Sequence, residues 1–472
     1  MKEEQDKIRQ NKALLMGTVI YAIGSFGSKF LNFLVVPLYT FYIEPIDLGD
    51  YDLLVTTVGL LSPLLTMKIS DAAYRWIIKS DDNWIPCISA TYQILIKNCS
   101  LAAVILLTVN QFVPIWNCGY FVAILIGDRI LECLQKLLRG LKNQKLFAVS
   151  GLFHTAILVG MNILKICIWQ EGVIALLQSN VISLYAAILL ILILEKRLRV
   201  VNFSGDYHQL QGDMLRYSVP LVPSTLSWWV MSASDRYVIR WMVGRAANGI
   251  YSVAYKFPSF LQTIFSMFNN AWTDMALIEL GKGKQSEEYT KKIFQQLYQF
   301  SFGMIFALIP FTKLVMKAIL SNSYKEAAVY VGFLYLGTVF QGFSSFCSIG
   351  YLQMKKTGGA ARTSVIGGMV NLGIDLLLIQ HIGLFAACIS TFVGFFAMWV
   401  FRMRDIKKEF PIQVDIKEFG SLLTIGILFA GVVIWSNEIT DFILFCVGSS
   451  LFLLINRKNL KHILQVIRKK QS

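Results

Sequence analysis

The fold can be read from residues 172–194, GVIALLQSNVISLYAAILLILIL, which are followed directly by the basic segment EKRLR at residues 195–199. No charged side chain interrupts the apolar stretch, and a helix needs about 20 mostly apolar residues to cross a bilayer. Short cytoplasmic loops accumulate Lys and Arg, so the basic segment indicates the cytoplasmic end of such a helix. The stretch therefore predicts a membrane-spanning helix, and the same pattern can be followed along the chain.

The composition of the whole chain is that of a membrane protein. Of its 472 residues, 55% are hydrophobic and only 15% are charged, whereas soluble domains carry about 25% charged residues. The mean hydropathy is +0.57. A net charge of +15 would fit a nucleic-acid-binding protein, but such proteins display basic patches on a polar surface. Here the basic residues lie between long apolar runs, so we expect no nucleic-acid partner.

Charge clusters and turn residues cut the sequence into about 14 apolar spans, with boundaries good to about three residues. The spans cover approximately residues 14–41, 48–70, 86–109, 118–139, 146–169, 172–194, 215–243, 249–278, 293–313, 327–350, 363–381, 383–403, 418–436 and 438–456. The apolar run from Leu14 to Ile43 is too long for the core of a cleaved signal peptide. We therefore expect it to act as an uncleaved insertion signal.

The positions of the basic residues predict the orientation. With the N-terminus in the cytoplasm, every basic cluster falls on the cytoplasmic side, as the positive-inside rule requires. The clusters are Lys2–Lys12; Lys68, Arg75 and Lys79; Lys136–Lys145; Lys196, Arg197 and Arg199; Lys282–Lys292; Lys355, Lys356 and Arg362; Arg402–Lys408; and Arg457–Lys470. The opposite loops contain Arg240, Arg245, Lys313, Lys317 and Lys325. This alternation favours an even number of spans with both termini in the cytoplasm.

The sequence also divides into similar halves. We predict a six-helix lobe at residues 1–194, a cytoplasmic linker at 195–214, a second six-helix lobe at 215–404, and an additional helix pair with a basic tail at 405–472. The second span begins with Leu48-Gly-Asp-Tyr51 and the eighth with Asn248-Gly-Ile-Tyr251, a weak internal repeat. The predicted fold is thus all-α, with two pseudo-symmetric lobes. Repeated halves are usual in alternating-access transporters, which bind substrate at the repeat interface.

Charged residues inside the spans are the best guide to function, because a charge at the bilayer centre normally faces protein or a watery cavity. The cations lie singly on different spans, an arrangement suited to neutralising an anion from several sides. They are Lys29, Lys97, Arg129, Lys165, Arg236 and Lys256. For Lys97 a local role beside Asn98 is favoured, and structural ion pairing is the alternative for Arg129 and Arg236. We predict a cationic substrate site formed by Lys29, Arg129, Lys165, Arg236 and Lys256.

Two acidic residues and two prolines complete the candidate site. Asp128 adjoins Arg129, and Asp375 lies one helical turn from Asn371, so both carboxylates are candidates for binding a coupling ion, H⁺ or Na⁺. Helix packing is the alternative role for Asp375. Pro220 and Pro223 each remove a backbone hydrogen bond from the seventh span. They predict an interrupted helix that serves as a hinge, with a static kink as the alternative.

Motifs for enzymatic chemistry are missing from the sequence. It contains no Gly-x-x-x-x-Gly-Lys-Ser/Thr loop for ATP, and its eight cysteines are scattered singly without zinc-ligand spacing. No predicted loop is long enough to fold as a catalytic domain. We therefore expect no enzyme activity and no cofactor, with transport driven by an ion gradient or by the gradient of the substrate itself.

Several segments resemble the Wzx-type oligosaccharide flippases, which are polysaccharide biosynthesis proteins of the multidrug/oligosaccharidyl-lipid/polysaccharide exporter superfamily. The second-lobe segments are Leu215-Arg-Tyr-Ser-Val-Pro-Leu-Val-Pro-Ser224, Ser234-Asp-Arg-Tyr237, Gly249-Ile-Tyr-Ser-Val-Ala-Tyr-Lys256 and Asn270-Ala-Trp272. The first-lobe segments are Asp50-Tyr51, Ser62-Pro-Leu-Leu65 and Asp71-Ala-Ala-Tyr-Arg-Trp76. The resemblance covers nearly the whole chain. It is more specific for the superfamily, which includes MATE-type drug antiporters and lipid II flippases, than for the branch.

The resemblance implies a MATE-like, two-lobed transporter of 14 helices that moves an undecaprenyl-diphosphate-linked oligosaccharide to the outer leaflet of the bacterial cytoplasmic membrane. Such a unit would serve O-antigen, capsule or exopolysaccharide synthesis. The implied partners are the lipid-linked oligosaccharide, membrane lipids, a polysaccharide polymerase and a chain-length regulator. A lipid II flippase, an ion-coupled drug or metabolite antiporter, and a non-transporting scaffold of a glycan assembly complex remain alternatives. The cationic bias of the spans argues against an antiporter of cationic drugs.

Overall fold

In a computed structural model the protein is built from helices. The structure describes residues 27–28, 30–31, 33–79, 84–279, 284–353, 357–407 and 412–471, and no β-strand occurs within these ranges. The chain forms two compact units. The first unit comprises the described residues up to Ile43 together with Asp50–Trp229. The second comprises Glu44–Gly49 together with the described residues from Val230 onward.

The helices of the first unit follow one another through short connections. They are α1 (Val36–Tyr42), α2 (Pro45–Thr66), α3 (Ile69–Lys79), α4 (Ile85–Phe112), α5 (Cys118–Gly140), α6 (Gln144–Asn162), α7 (Val173–Leu194), α8 (His208–Ser218) and α9 (Val222–Ala233). A π-helical turn, Ile163–Ile168, extends α6, and 3₁₀ turns occupy Lys196–Arg199 and Val219–Leu221. The first turn of α2 and the end of α9 belong to the second unit.

The second unit contains the longest helices. They are α10 (Asp235–Met242), α11 (Arg245–Glu279), α12 (Lys284–Ile319), α13 (Val331–Gln353), α14 (Thr357–Ile382), α15 (Leu384–Ile406), α16 (Ile416–Trp435) and α17 (Glu438–Gln471). A 3₁₀ segment, Asn322–Val329, precedes α13. Aromatic rings from α12, α13, α15 and α16 fill the core, where Trp399 stacks on Phe419 with ring centroids 5.0 Å apart.

The lengths and hydropathy of the helices confirm a multi-pass membrane protein. Nine helices in the part of the chain that the structure describes are long and apolar enough to cross a membrane, and a tenth arises if the bent pair Asn322–Val329 and Val331–Tyr351 is one span. These match ten of the predicted spans. The fourth and eighth predicted spans are helices α5 and α11, and the seventh is divided among α8, α9 and α10. The first lies largely outside the described residues, so the number 14 stays a prediction.

The boundary between the two compact units lies within α9, between Trp229 and Val230. The sequence predicts a cytoplasmic linker at residues 195–214. That linker belongs to the first unit, where the Asn202 backbone amide donates to Ser89 Oγ of α4 at 3.0 Å. The division into two six-helix lobes and a C-terminal helix pair stays a prediction.

Candidate functional site

Arg129 lies on α5 of the first unit and is joined to two carboxylates. Its side chain is buried, with 8% of the residue exposed. The guanidinium donates to the carboxylates of Asp128 and Glu132 and to the hydroxyl group of Ser62 on α2. A buried charge must be paired to avoid a large desolvation penalty. Arg129 is therefore neutralised within its own unit.

The Arg129 contacts belong to a longer chain of ion pairs. Lys136, one turn after Glu132 on α5, lies 3.0 Å from the Glu132 carboxylate and 2.6 Å from that of Asp71 on α3. Asp71 also pairs with Lys68 at 3.0 Å. Lys68 and the preceding Met67 have positive φ angles, 56° and 48°, an unusual backbone for residues other than glycine. The ion pairs thus secure the joint between α2 and α3.

Lys165 is also paired, at the π-helical end of α6. Its Nζ atom lies 2.9 Å from the Glu171 carboxylate and 2.5 Å from Gln178 Oε1 of α7. The ammonium group also lies 4.8 Å from the centroid of the Trp169 ring, within the range of a cation–π contact. Lys165 lies within the π-helical turn Ile163–Ile168. The hydrogen bonds of such a turn span one residue more than those of an α-helix.

The remaining predicted cations differ in their surroundings. Lys29 lies outside the described residues. The side chain of Lys256 on α11 and that of Lys97 on α4 are exposed. Arg236, on the short helix α10, is buried. Its guanidinium carbon lies 5.0 Å from the ring centroid of Tyr255 and 5.9 Å from that of Tyr251, both on α11.

A cluster of buried polar side chains lies beside Arg236 in the second unit, and we call it the carboxylate cluster. Its members are Ser234, Asp235, Tyr251, Asn371, Asp375, Ser390 and Thr391. The Asp235 Oδ2 atom accepts hydrogen bonds from the Tyr251 hydroxyl group at 2.8 Å and the Thr391 hydroxyl group at 2.6 Å. Four helices, α10, α11, α14 and α15, therefore contribute side chains around one carboxylate, together with Ser234 just before α10.

Asp375 is the second carboxylate of the cluster. It is completely buried and close enough to Asp235 for an electrostatic interaction. Neither Asp375 oxygen, nor Oδ1 of Asp235, has a hydrogen-bond partner in the described part of the chain. An unpaired buried carboxylate is strongly unfavourable. These three oxygen atoms are therefore candidates for binding a cation or a proton.

Local packing brings the helices of the cluster close together. Asn371 of α14 donates to Ser390 Oγ of α15 at 3.3 Å, and its Oδ1 atom accepts from Ser234 at 3.4 Å. Gly394 of α15 faces Asn371, because a Cβ atom at this glycine would lie only 2.8 Å from the Asn371 Cβ. A glycine at this position allows the polar faces of α14 and α15 to meet.

The cluster offers two carboxylates surrounded by neutral oxygen donors. Acidic residues inside spans commonly mark ion pathways and proton relays, so these groups can bind a monovalent cation or a proton. Within the described residues, no group of three or more His, Cys, Asp or Glu side chains is arranged to hold a metal ion. Two carboxylates can balance one Na⁺ or share one proton. The other predicted ion-binding residue, Asp128, is paired with Arg129.

The predicted interruption of the seventh span is present at the two prolines. Helix α8 ends at Ser218, a 3₁₀ turn containing Pro220 follows, and α9 begins at Val222 with Pro223 in its first turn. Proline lacks a backbone amide hydrogen and clashes with the preceding turn of a helix, which explains the break. Whether the break acts as a hinge stays a prediction.

The sequence indicated part of the carboxylate cluster. The spacing of Asn371 and Asp375 places them on one face of α14, and Asp235 is a charged residue within the seventh predicted span. Tyr251, Ser390 and Thr391 were not selected, because single hydroxyl groups in apolar helices carry no pattern that separates a ligand from a packing residue. Only the packing of α11 and α15 against α10 and α14 identifies them.

Solved structures with a similar fold are transporters. A solved structure of the lipid II flippase MurJ, in an inward closed conformation, superposes on this chain with a TM-score of 0.71 at 13% sequence identity. The superposition covers 94% of this chain and 100% of the MurJ chain. An outward-facing multidrug resistance MATE family transporter of the MOP superfamily gives a TM-score of 0.59 at 13% identity, covering 88% and 96% of the two chains. These similarities confirm the all-helical, MATE-like fold class.

A third solved structure and one sequence relative are also similar. A MOP superfamily transporter from Pyrococcus furiosus, whose title describes reverse polarity of its binding pocket, gives a TM-score of 0.58 at 14% identity, covering 84% of this chain and 96% of that chain. An uncharacterised membrane protein of Methanocaldococcus jannaschii is 24% identical over 181 residues, which are 38% of this chain and 34% of that protein. The chain thus aligns with about a third of the length of this relative.

A sequence profile for the family described as "Polysaccharide biosynthesis protein" matches residues 14–273, more than half of the chain. This match includes the interrupted seventh span, Asp235 and Arg236, and both tyrosines beside them. The chain belongs to the polysaccharide biosynthesis protein family.

Proposed function

We propose that the protein is a flippase that moves an undecaprenyl-diphosphate-linked oligosaccharide across the bacterial cytoplasmic membrane by alternating access. The oligosaccharide would be a repeat unit of an O-antigen, a capsule or an exopolysaccharide. Family membership and a flippase-like fold over nearly the whole chain support a lipid-linked substrate. Both termini lie in the cytoplasm in this proposal, in agreement with the distribution of Lys and Arg.

The diphosphate is the part of the substrate that intramembrane cations would bind. The proposal assigns this role to Lys29, Arg129, Lys165, Arg236 and Lys256. Arg236 has the strongest geometric support, because two tyrosine rings hold a guanidinium group inside a span, and guanidinium groups bind phosphate in a bidentate manner. For Arg129 and Lys165, a diphosphate would have to replace the carboxylates that now pair with them.

The observation that carries ion coupling is the state of Asp375. A fully buried carboxylate beside a second one, with no hydrogen-bond partner in the described part of the chain, would be stabilised by binding Na⁺ or H⁺ from the aqueous side. Release of that ion on the other side would then drive the conformational cycle. We assign the coupling ion to Asp375 and Asp235 rather than Asp128, which is already joined to Arg129. Pro220 and Pro223 provide the bend at which the cycle would act.

A flipping assay in proteoliposomes tests the proposal. The substrate is a fluorescently labelled undecaprenyl-diphosphate oligosaccharide, and dithionite quenching measures how much of it is accessible from outside. We expect transport that depends on a Na⁺ or H⁺ gradient, loss of the gradient dependence in Asp375→Asn, and at least tenfold slower transport in Arg236→Gln. Arg362→Gln is the matched control, because it removes an exposed arginine that pairs with Asp405 at a helix end.

The same vesicles distinguish the alternative functions. Lipid II carries a prenyl diphosphate with different sugars, so its transport in place of the oligosaccharide would identify a lipid II flippase. Ion-driven export of a cationic dye would identify a drug antiporter. A scaffold would move none of these substrates, although it would still bind a polysaccharide polymerase or a chain-length regulator. Unchanged transport in both Asp375→Asn and Arg236→Gln would contradict the proposed site.

A further inference from the structure

Tyr251 contacts both halves of the proposed site. Its hydroxyl group donates a hydrogen bond of 2.8 Å to Asp235 Oδ2, and its ring centroid lies 5.9 Å from the guanidinium carbon of Arg236. The side chain is completely buried on α11. One rigid aromatic group thus connects a member of the carboxylate cluster with the arginine assigned to the diphosphate.

The geometry of α10 shows what a connecting side chain adds to the direct charge interaction between Asp235 and Arg236. Asp235 and Arg236 are consecutive residues, and adjacent residues of a helix point about 100° apart. The carboxylate turns toward Thr391 on α15, where it accepts a hydrogen bond of 2.6 Å, while the guanidinium lies over the tyrosine rings of α11. Tyrosine suits this position because it has a polar tip and a ring face that attracts cations.

Tyr255 provides an internal comparison, since it lies one helical turn further along α11. Its ring is nearer to the guanidinium carbon, at 5.0 Å. Its hydroxyl group is hydrogen-bonded to Gln262 Nε2, at 3.2 Å, rather than to Asp235. The two tyrosines therefore share the stacking contact with Arg236 but differ in the contact with the carboxylate cluster.

We propose that Tyr251 transmits the occupancy of the carboxylate cluster to Arg236, so that binding of the coupling ion changes the affinity for a diphosphate. This inference rests on the proposed function. A cation bound at the free oxygen atoms of the cluster withdraws negative charge from the Asp235 carboxylate, so the hydrogen bond from the Tyr251 hydroxyl group to Oδ2 weakens and the ring is held less firmly. A displaced ring no longer holds the guanidinium in the same orientation. Ion and diphosphate then have a coupling free energy, which acts equally in both directions.

A binding measurement with paired variants tests the role of Tyr251. The probe is farnesyl diphosphate, and its dissociation constant is measured by isothermal titration calorimetry with the full-length protein in nanodiscs. Each titration is made in sodium chloride and in choline chloride of the same ionic strength, and again at two pH values. The variants are Tyr251→Phe and Tyr255→Phe, both of which keep a ring beside Arg236. Only the first removes a hydrogen bond to Asp235.

For the natural protein and for Tyr255→Phe, we expect the dissociation constant to change about fivefold or more when the coupling ion is added, the usual range for allosteric coupling. For Tyr251→Phe, we expect binding to persist and the ratio of the dissociation constants with and without the ion to fall clearly below that of Tyr255→Phe. A melting curve with and without Na⁺, or at the two pH values, reports ion binding separately. Tyr251→Phe should retain an ion-dependent shift, because both carboxylates remain.

Each other outcome has a definite meaning. If Tyr251→Phe keeps the full ratio, or if the natural protein binds the probe with a ratio of one, the coupling role of Tyr251 is wrong while diphosphate binding stands. If the natural protein does not bind farnesyl diphosphate, the proposed function fails and this inference fails with it. If Tyr251→Phe does not fold, the ion-dependent ratio of dissociation constants is measured for Arg236→Lys instead. This variant retains the positive charge but not the planar group that stacks on the tyrosine rings. Full coupling in Arg236→Lys would overturn the tyrosine–guanidinium path.

Discussion

The two glycines of the weak internal repeat make a reciprocal contact that can be tested by adding a methyl group. Gly49 lies in the first turns of α2 and Gly249 in those of α11. A Cβ atom at Gly249 would lie 2.0 Å from the carbonyl oxygen of Pro45 on α2, and one at Gly49 would lie 2.2 Å from the carbonyl oxygen of Arg245 on α11. Each glycine therefore allows the backbone of the other helix to approach.

The structure gives the size of the expected effect of Gly249→Ala. Ordinary Cβ contacts begin near 3.4 Å, so the helices must separate by 3.4 minus 2.0, or about 1.4 Å. This separation would stretch the hydrogen bond from Asn248 Nδ2 to the Gly49 carbonyl oxygen, now 2.7 Å, beyond its useful range. Loss of the bond costs about 1 kcal/mol, and overpacking typically costs a further 1–3 kcal/mol. We expect the free energy of unfolding to fall by about 2–4 kcal/mol.

The assay is unfolding by SDS in mixed micelles, followed by circular dichroism, with Gly431→Ala on α16 as the matched control. A Cβ atom at Gly431 meets no atom within 4 Å, so this change should be neutral or stabilising by up to about 1 kcal/mol through helix propensity. The double variant Gly49→Ala with Gly249→Ala should lose less than the sum of the single losses, because one separation relieves both contacts. A stability of Gly249→Ala equal to that of the control would refute the reasoning.

Three further predictions concern charged residues. Lys313→Met should lower the free energy of unfolding by about 3–5 kcal/mol, because it leaves the buried Asp441 carboxylate without its cation. The Lys313 ammonium group lies 3.3 Å from this carboxylate. The double variant Lys313→Met with Asp441→Leu should recover most of the loss in the same SDS titration. The hydrogen-bonded Arg197 guanidinium lowers the pKa of Glu195 from 4.5 to about 2. Glu195→Gln should therefore lower the melting temperature near neutral pH, with a difference that shrinks as the pH falls from 4.5 to 2, and a difference independent of pH would contradict the pairing. Arg129→Gln should reduce the yield of folded protein on gel filtration far more than Arg129→Lys, which retains a positive charge for both carboxylate partners.

Hydropathy was sufficient to predict the fold class, because every backbone polar group inside a bilayer must be satisfied within the chain and helices do this locally. The spans that the sequence resolved best, such as α7, are apolar throughout. The seventh predicted span was harder, since Pro220 and Pro223 separate α8 from α9 and a further break at Ser234 separates α9 from α10. Lys313 shows the limit of loop assignment from charge. The sequence placed it in an outer loop, but it is buried in α12 and paired with Asp441.

The candidate site was only partly predictable, because a charge in a span indicates a polar environment without naming the partner. Arg129 and Lys165 were expected to face an anionic substrate, and the structure joins them to Glu132 and Glu171, which lie nearby in sequence. A local carboxylate at i+3 or i+6 was visible in the sequence but gives no proof of pairing. The partners of Asp235, by contrast, come from residues 16 and 156 positions away. Such contacts are set by helix packing and leave no local pattern.

The distribution of paired and unpaired charges makes the second unit the better candidate for binding the coupling ion. In the first unit, Arg129 and Lys165 are each paired with carboxylates. An anionic substrate would therefore have to displace these carboxylates in order to bind the two cations. In the second unit, Asp375 has no hydrogen-bond partner within the described residues. A cation that binds this buried carboxylate would therefore not have to displace a hydrogen-bond donor. Because Asp235 and Arg236 are adjacent and Tyr251 contacts both, the proposed coupling between an ion at the carboxylate cluster and a diphosphate at Arg236 would need no long pathway through the protein. Tyr251→Phe is the smallest change that would separate the two binding events in this proposal.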